Sequence, residues 1–144
     1  MAPTTSPTAA RTIIRSQHVI IEYSEAENVI IMTATRPFIP EDEFREMLAQ
    51  LETFLRQQPV RKLIFDQRHL RHFHARSFEW LFCHWQPRMQ HHALVQYCYL
   101  LPEDTLFRSE FRAFLRKIRE EYPPNLFHEM QLHFCDSFLE ALER

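Results

Sequence analysis

The chain has 144 residues and no glycine, where about ten is average for this length. That absence excludes a glycine-rich phosphate cradle and a dinucleotide-binding fingerprint. It excludes a Gly-x-Ser-x-Gly nucleophile elbow as well. Turns that need positive φ fall to Asn, Asp or His, and Asn28 is the best placed of these. No apolar run approaches the roughly eighteen residues of a membrane span. The opening MAPTTSPTAARTIIR has no contiguous apolar region of the kind a secretory signal carries. It reads as a flexible tail over residues 1–15. Cysteine is scarce: Cys83, Cys98 and Cys135 are odd in number, widely spaced and each set in an apolar stretch. The expectation is reduced core thiols in a cytoplasmic protein. A net charge of −2 argues against a dedicated nucleic-acid binder.

What is present is a soluble globular composition, 45% hydrophobic and 25% charged, long enough for one domain over residues 16–144. Residues 18–23 and 29–35 are β-branched and apolar, joined by the polar link SEAEN. They read as an antiparallel hairpin. Pro40 followed by Glu41, Asp42 and Glu43 is a helix start. Phe44, Met47, Leu48, Leu51, Phe54 and Leu55 then recur at helical spacing. A third strand covers 62–66, and a second helix covers 75–85, ended by Pro87. The fourth strand is 94–101. The third helix starts near Glu103 and carries Phe107, Phe111, Phe114 and Ile118 on one side. Residues 129–134 form the fifth strand, and Asp136 or Ser137 caps a last helix with Phe138, Leu139 and Leu142 inward. The order β-β-α-β-α-β-α-β-α predicts an α/β domain with a five-stranded mixed sheet, a hairpin followed by parallel strands. Alternation in the outer strands, such as Leu132 and Phe134 against Gln131 and His133, predicts helices mainly on one face.

Four local patterns carry a resemblance: KLIFDQRHL, EWLFCHWQP, YLLPED and LHFCDSFLEAL. With them, residues 19–142 resemble the SpoIIAA-like family. This group includes STAS domains and is akin to CRAL-TRIO lipid-transfer domains. The nearest likeness is to stand-alone bacterial members. The resemblance implies sheet order 1-2-3-4-5, a β/α superhelix and a non-enzymatic role with a protein partner. Members that act as anti-sigma-factor antagonists carry a phosphorylatable Ser in a short Asp-Ser-x-Gly motif after the third strand. Here that stretch is Asp66, Gln67, Arg68 and His69, so Gln67 stands where the Ser would be. The phospho-switch is not carried over, and Ser77, a turn inside the second helix, is not taken as its replacement.

The chemistry-bearing residues crowd into 66–76. His69, His72 and His74 form H-x-x-H-x-H, with His84, His91 and His92 nearby. Without a cysteine pair or an H-E-x-x-H helix pattern these read as surface or capping histidines, and no metal or other cofactor is expected. Asp66 has no nucleophile or second carboxylate beside it, so no catalytic residue is assigned and no enzyme is expected. The expected partner or anion surface is Asp66, Gln67, Arg68, His69, Arg71, His72 and Arg76, with Phe73 as an aromatic anchor. On that reading, replacing Arg68 and Arg71 by Ala changes stability by no more than about 1 kcal/mol. The leading function is a regulatory or protein-interaction module, with a homodimer through the open sheet face as a further partner expectation. The alternative is a carrier or sensor of a small apolar, lipid-like ligand in a pocket built from Phe78, Trp80, Phe82, Trp85 and Phe111 between helices and sheet.

Overall fold

The computed structural model describes residues 10–123 and 131–144. Among them are six strands, not five. They are β1 (Ala10–Arg15), β2 (Val19–Ser24), β3 (Val29–Ala34), β4 (Lys62–Asp66), β5 (Gln96–Leu100) and β6 (Gln131–Cys135). The order in the sheet is β1-β2-β3-β4-β5-β6. β1–β2 and β2–β3 are antiparallel, and β3 through β6 are parallel.

The added strand lies in the stretch expected to be a flexible tail, so the folded unit begins by residue 10 rather than 16. Thr12, Ile13 and Ile14 are β-branched; Thr12 pairs with Glu22 and Ile14 with Ile21 of β2, and Ile13 sits at the register shift between them. The Pro- and Thr-rich opening hides this short edge strand from a composition argument. Glu129 and Met130, where the last strand was expected to begin, lie outside the described residues.

The helices are α1 (Glu41–Gln57), α2 (Ala75–Trp80), α3 (Gln86–Met89), α4 (Thr105–Glu121) and α5 (Phe138–Glu143). From β3 onward each crossover moves one strand in the same direction. Right-handed crossovers taken in one direction put every connecting helix on one face. That face holds the main core: Val19, Ile21, Tyr23, Ile30, Met32, Leu63, Phe65, Tyr97 and Tyr99 meet the apolar stripes of α1, α2 and α4. A smaller core on the second face joins Val29, Ile31, Ile64, Cys98, Leu100 and Cys135 to Phe138 and Ala141 of α5. Ser137 caps α5 by accepting from the Glu140 N–H at 3.1 Å. Leu139, expected inward, faces out. Because α5 covers only part of that face, Thr12, Ile20, Glu22 and Thr33 line an open groove of about 500 Å³.

Pro87 does not end the second helix. Residues Leu81–Trp85 form a π turn, in which the Gln86 N–H reaches back to the Leu81 carbonyl. The widened turn restarts the helix as α3, with Pro87 in its first turn. A proline in a continuing helix leaves a carbonyl of the preceding turn without its usual N–H, and the wider π turn accommodates the missing donor. Asn28 takes positive φ, 52°, closing the β2–β3 link as expected. Ala93 does so too, at 74°, directly after a 3₁₀ turn. In a chain without glycine, alanine carries that strain.

All three cysteines are free and buried. Burial pushes the Cys83 thiol up to about 11 and the Cys135 thiol up to about 12, which leaves both protonated near neutrality.

Candidate functional site

β3 and β4 are neighbouring parallel strands, so the loops leaving their C-terminal ends lie side by side. The first, residues 35–40, leads into α1. The second, residues 67–74, leads into α2. The Arg71 N–H donates to the Pro37 carbonyl at 2.7 Å and ties the two loops together. Pro37 and Pro40 keep the first loop extended, out of helix, until α1 begins. Between the loops is a cavity of about 400 Å³. Phe38, Ile39, Phe44, Phe65, Leu70, Phe73 and Phe78 supply its apolar lining. Glu41, His72, His74 and Ser77 supply its polar groups.

The first loop is anchored from outside. Glu43, in the first turn of α1, accepts from the His18 backbone N–H at 2.7 Å and from the Ser16 hydroxyl. Its other oxygen meets His18 Nδ1 at 2.7 Å. The His18 ring in turn lies 5.5 Å from the ring of Phe38 at the cavity rim. Burial opposes ionisation of Glu43, but the hydrogen bonds from Ser16 and His18 outweigh it and hold its pKa below the ordinary value of 4.5. A lowered carboxylate pKa stabilises the fold above the unfolded-chain value, and the gain fades as pH falls through the folded one. Glu43→Gln is therefore expected to lose about 1–2 kcal/mol at pH 7. The loss should shrink as the pH is taken below 4.5. Urea melts at several pH values measure this. A loss independent of pH across that range would show that the carboxylate charge contributes nothing.

The second loop distributes the expected partner surface unevenly. Asp66 is buried and grips Arg68, which donates from Nε at 2.9 Å, from Nη2 at 2.8 Å and from its backbone N–H at 3.1 Å. These bonds raise the Arg68 pKa. Gln67 is buried as well. Its backbone N–H donates to the Leu100 carbonyl at 2.8 Å. Neither end of its side-chain amide has a partner among the described residues. Gln67 is thus part of the interior, and Asp66 borders the second-face groove as the buried partner of Arg68. His69, Arg71, His72 and Arg76 are exposed. Arg68 and Arg71 meet Arg108, not Arg76, across a polar cleft shared with Glu103, Asp104 and Asp136. Among the described residues no ion pair joins these carboxylates to the three guanidinium groups; Asp104 caps α4 and Arg108 donates to the Pro102 carbonyl. Arg76 lies on the other side, 3.7 Å from Glu41.

His74 is a helix cap. Its Nδ1 accepts from the Ser77 backbone N–H at 3.3 Å and meets the Ser77 hydroxyl at 2.8 Å. Among the described residues, no three of His, Cys, Asp or Glu come together as metal ligands would.

Phe73, expected as an exposed anchor, is turned inward, stacked 4.9 Å from Phe78 and edge-on to Phe107 at 5.7 Å. The exposed ring here is Phe38, 51% accessible. It comes from the other loop and was missed by the sequence reading. An aromatic residue held between two prolines, beyond the end of a strand, was the available signal.

Of the aromatic residues expected to wall a pocket, only Phe78 reaches the cavity. Phe82, Trp85 and Phe111 are fully buried core side chains. Trp80 packs at the periphery, with the Arg45 guanidinium 4.8 Å above its ring. No helix among the described residues is long and apolar enough to cross a membrane. No protein-family model, curated protein or solved structure matches the chain.

Proposed function

We propose that this protein is a non-catalytic binding module that carries or senses a small apolar molecule. One observation carries the reading. An aromatic-lined cavity of about 400 Å³ sits at the C-terminal ends of two adjacent parallel strands, within the size range of small-molecule sites. Its polar groups are few, Glu41, His72, His74 and Ser77 against an apolar lining, as in sites where a small number of polar groups orient a ligand. The Ser77 hydroxyl lies 2.8 Å from His74 Nδ1, but that nitrogen also caps α2 by accepting from the Ser77 backbone N–H, and Ser77 is buried. A regulatory role follows from the same geometry. The loops that enclose the ligand also expose Phe38, Arg71 and His72 to solvent, so occupancy alters the surface that a protein partner reads. Membership in the SpoIIAA-like family belongs to this proposal. It is supported by the strand order that advances in one direction and by the connecting helices gathered on one face, with only α5 on the other. Dimerisation through the second face is less favoured, because its open groove is lined by Arg15, Glu22, Asp66 and Arg68.

The test is titration with a neutral apolar fluorophore, N-phenyl-1-naphthylamine. One saturable site per chain is expected. Phe38→Ala removes a rim ring that is half in solvent, so the fold is kept. Affinity should fall about fivefold, equivalent to about 1 kcal/mol of lost apolar contact. Non-saturable binding, or binding unchanged in Phe38→Ala, would overturn the assignment.

A further inference from the structure

We infer that the ligand of this cavity is an aromatic carboxylate, its ring among the phenylalanines and its acid group held at the mouth by His74 and Arg76. The inference rests on the apolar-cavity reading above and adds the chemical class of the ligand. The apolar part follows from the lining. Phe44, Phe65, Phe73 and Phe78 present ring faces and edges to one space, and rings prefer offset-stacked or edge-on partners. A flat ring uses such walls better than a flexible chain.

The head group follows from a count of donors and acceptors. His74 Nδ1 accepts from the Ser77 backbone N–H, so the neutral ring carries its proton on Nε2 and offers a donor there. The Ser77 hydroxyl is engaged by the same nitrogen. Glu41 is the one carboxylate in the lining, and it is already matched. Arg45 holds it at 3.1 Å, and Arg45 is itself seated on the ring of Trp80. Arg76 is the second cation on Glu41, at a longer 3.7 Å and with its side chain 77% exposed. An ion pair that long and that wet contributes little. Arg76 can leave it for a ligand carboxylate without stranding Glu41, and a guanidinium binds a carboxylate bidentately. His74 in the lining therefore has a ring N–H with no partner among the described residues, and Arg76, outside the lining but beside its Glu41, is a re-assignable cation, while Glu41 is already neutralised by Arg45. A ligand amine would find the reverse of what it needs.

Three probes of one shape separate the alternatives: 3-phenylpropionate, 3-phenylpropan-1-ol and 3-phenylpropylamine. Each is titrated against the full chain by calorimetry or by displacement of N-phenyl-1-naphthylamine. The acid should bind tightest, about tenfold above the amine, with the alcohol between them. Arg76→Gln, an exposed change that leaves the fold intact, should bring the acid down to the alcohol and leave the alcohol unchanged. If the alcohol or amine binds as well as the acid, or Arg76→Gln leaves the order intact, the carboxylate inference is overturned and the cavity reading stands. If the fluorophore binds but the acid does not, the inference again fails alone. If neither the fluorophore nor any of the three binds, both fall together.

Discussion

Phe111→Ala is expected to destabilise the protein by about 3–5 kcal/mol, the range for truncating a buried phenylalanine. Phe111 is 1% exposed. Its ring lies between 5.3 and 6.4 Å from those of Phe73, Phe78, Phe82, Tyr99, Phe107, Phe114 and Phe134. Removing it leaves a hole in a cluster drawn from β5, β6, α4, the π turn and the helix before it, and these cannot all close in on the gap. Domains of this size have about 5–15 kcal/mol in total, so the variant should unfold at much lower urea with an unchanged denaturant slope. The comparison with Phe38→Ala separates core from site. Phe38→Ala should keep the unfolding midpoint and weaken probe binding. Phe111→Ala should lower the midpoint and, while still folded, bind the probe with similar affinity. A small stability loss in Phe111→Ala accompanied by loss of binding would place Phe111 in a ligand pocket and contradict the partition drawn here.

That partition marks the limit of what the sequence makes legible. The 62–66 run has a short apolar stretch bounded by charge, and β4 occupies Lys62–Asp66. The stripe Phe44, Met47, Leu48, Leu51 and Leu55 at helical spacing is buried in α1 as expected, and Phe54 is half-buried. Period and punctuation specify such elements locally. Pro87 was misread because a π turn shifts the hydrogen-bond frame, and nothing in the local sequence announces that shift. β1 was missed because its pairing partner, β2, decides whether Thr12, Ile13 and Ile14 are strand or tail. The cavity was the hardest feature to foresee. Phe38 and Phe73 are both loop phenylalanines, flanked by Pro in one case and His in the other. One projects into solvent and the other packs on Phe78. Only the adjacency of the β3 and β4 exits, and the Arg71–Pro37 hydrogen bond across them, distinguishes the two. The loop after β4 supplies Leu70, His72, Phe73 and His74 to the cavity, and the loop after β3 supplies Phe38, Ile39 and Pro40.

Arg68→Ala is the second large effect. From the sequence, an arginine in a polar loop reads as an exposed charge whose loss is worth about 1 kcal/mol or less. The geometry changes that expectation. Arg68 makes a two-pronged contact to Asp66, and the carboxylate is 7% exposed while the guanidinium is 39% exposed. Taking away the outer partner strands the inner one. Removing one member of a fully buried pair is worth about 3–5 kcal/mol. Partial access of water to the Arg68 side lowers this to about 2–3 kcal/mol here. Asp66→Ala should be milder, about 1–2 kcal/mol, because the freed guanidinium turns to solvent and the main loss is the acceptor for the Arg68 backbone N–H at 3.1 Å. The two single changes are therefore unequal, and the double change should be no worse than Asp66→Ala alone, since with the carboxylate gone Arg68 has nothing left to neutralise. Urea unfolding of the four proteins closes the cycle. If Arg68→Ala proves no more destabilising than Asp66→Ala, or if the two losses simply add in the double variant, the carboxylate is solvated in solution and the exposed-charge reading of this loop was the right one.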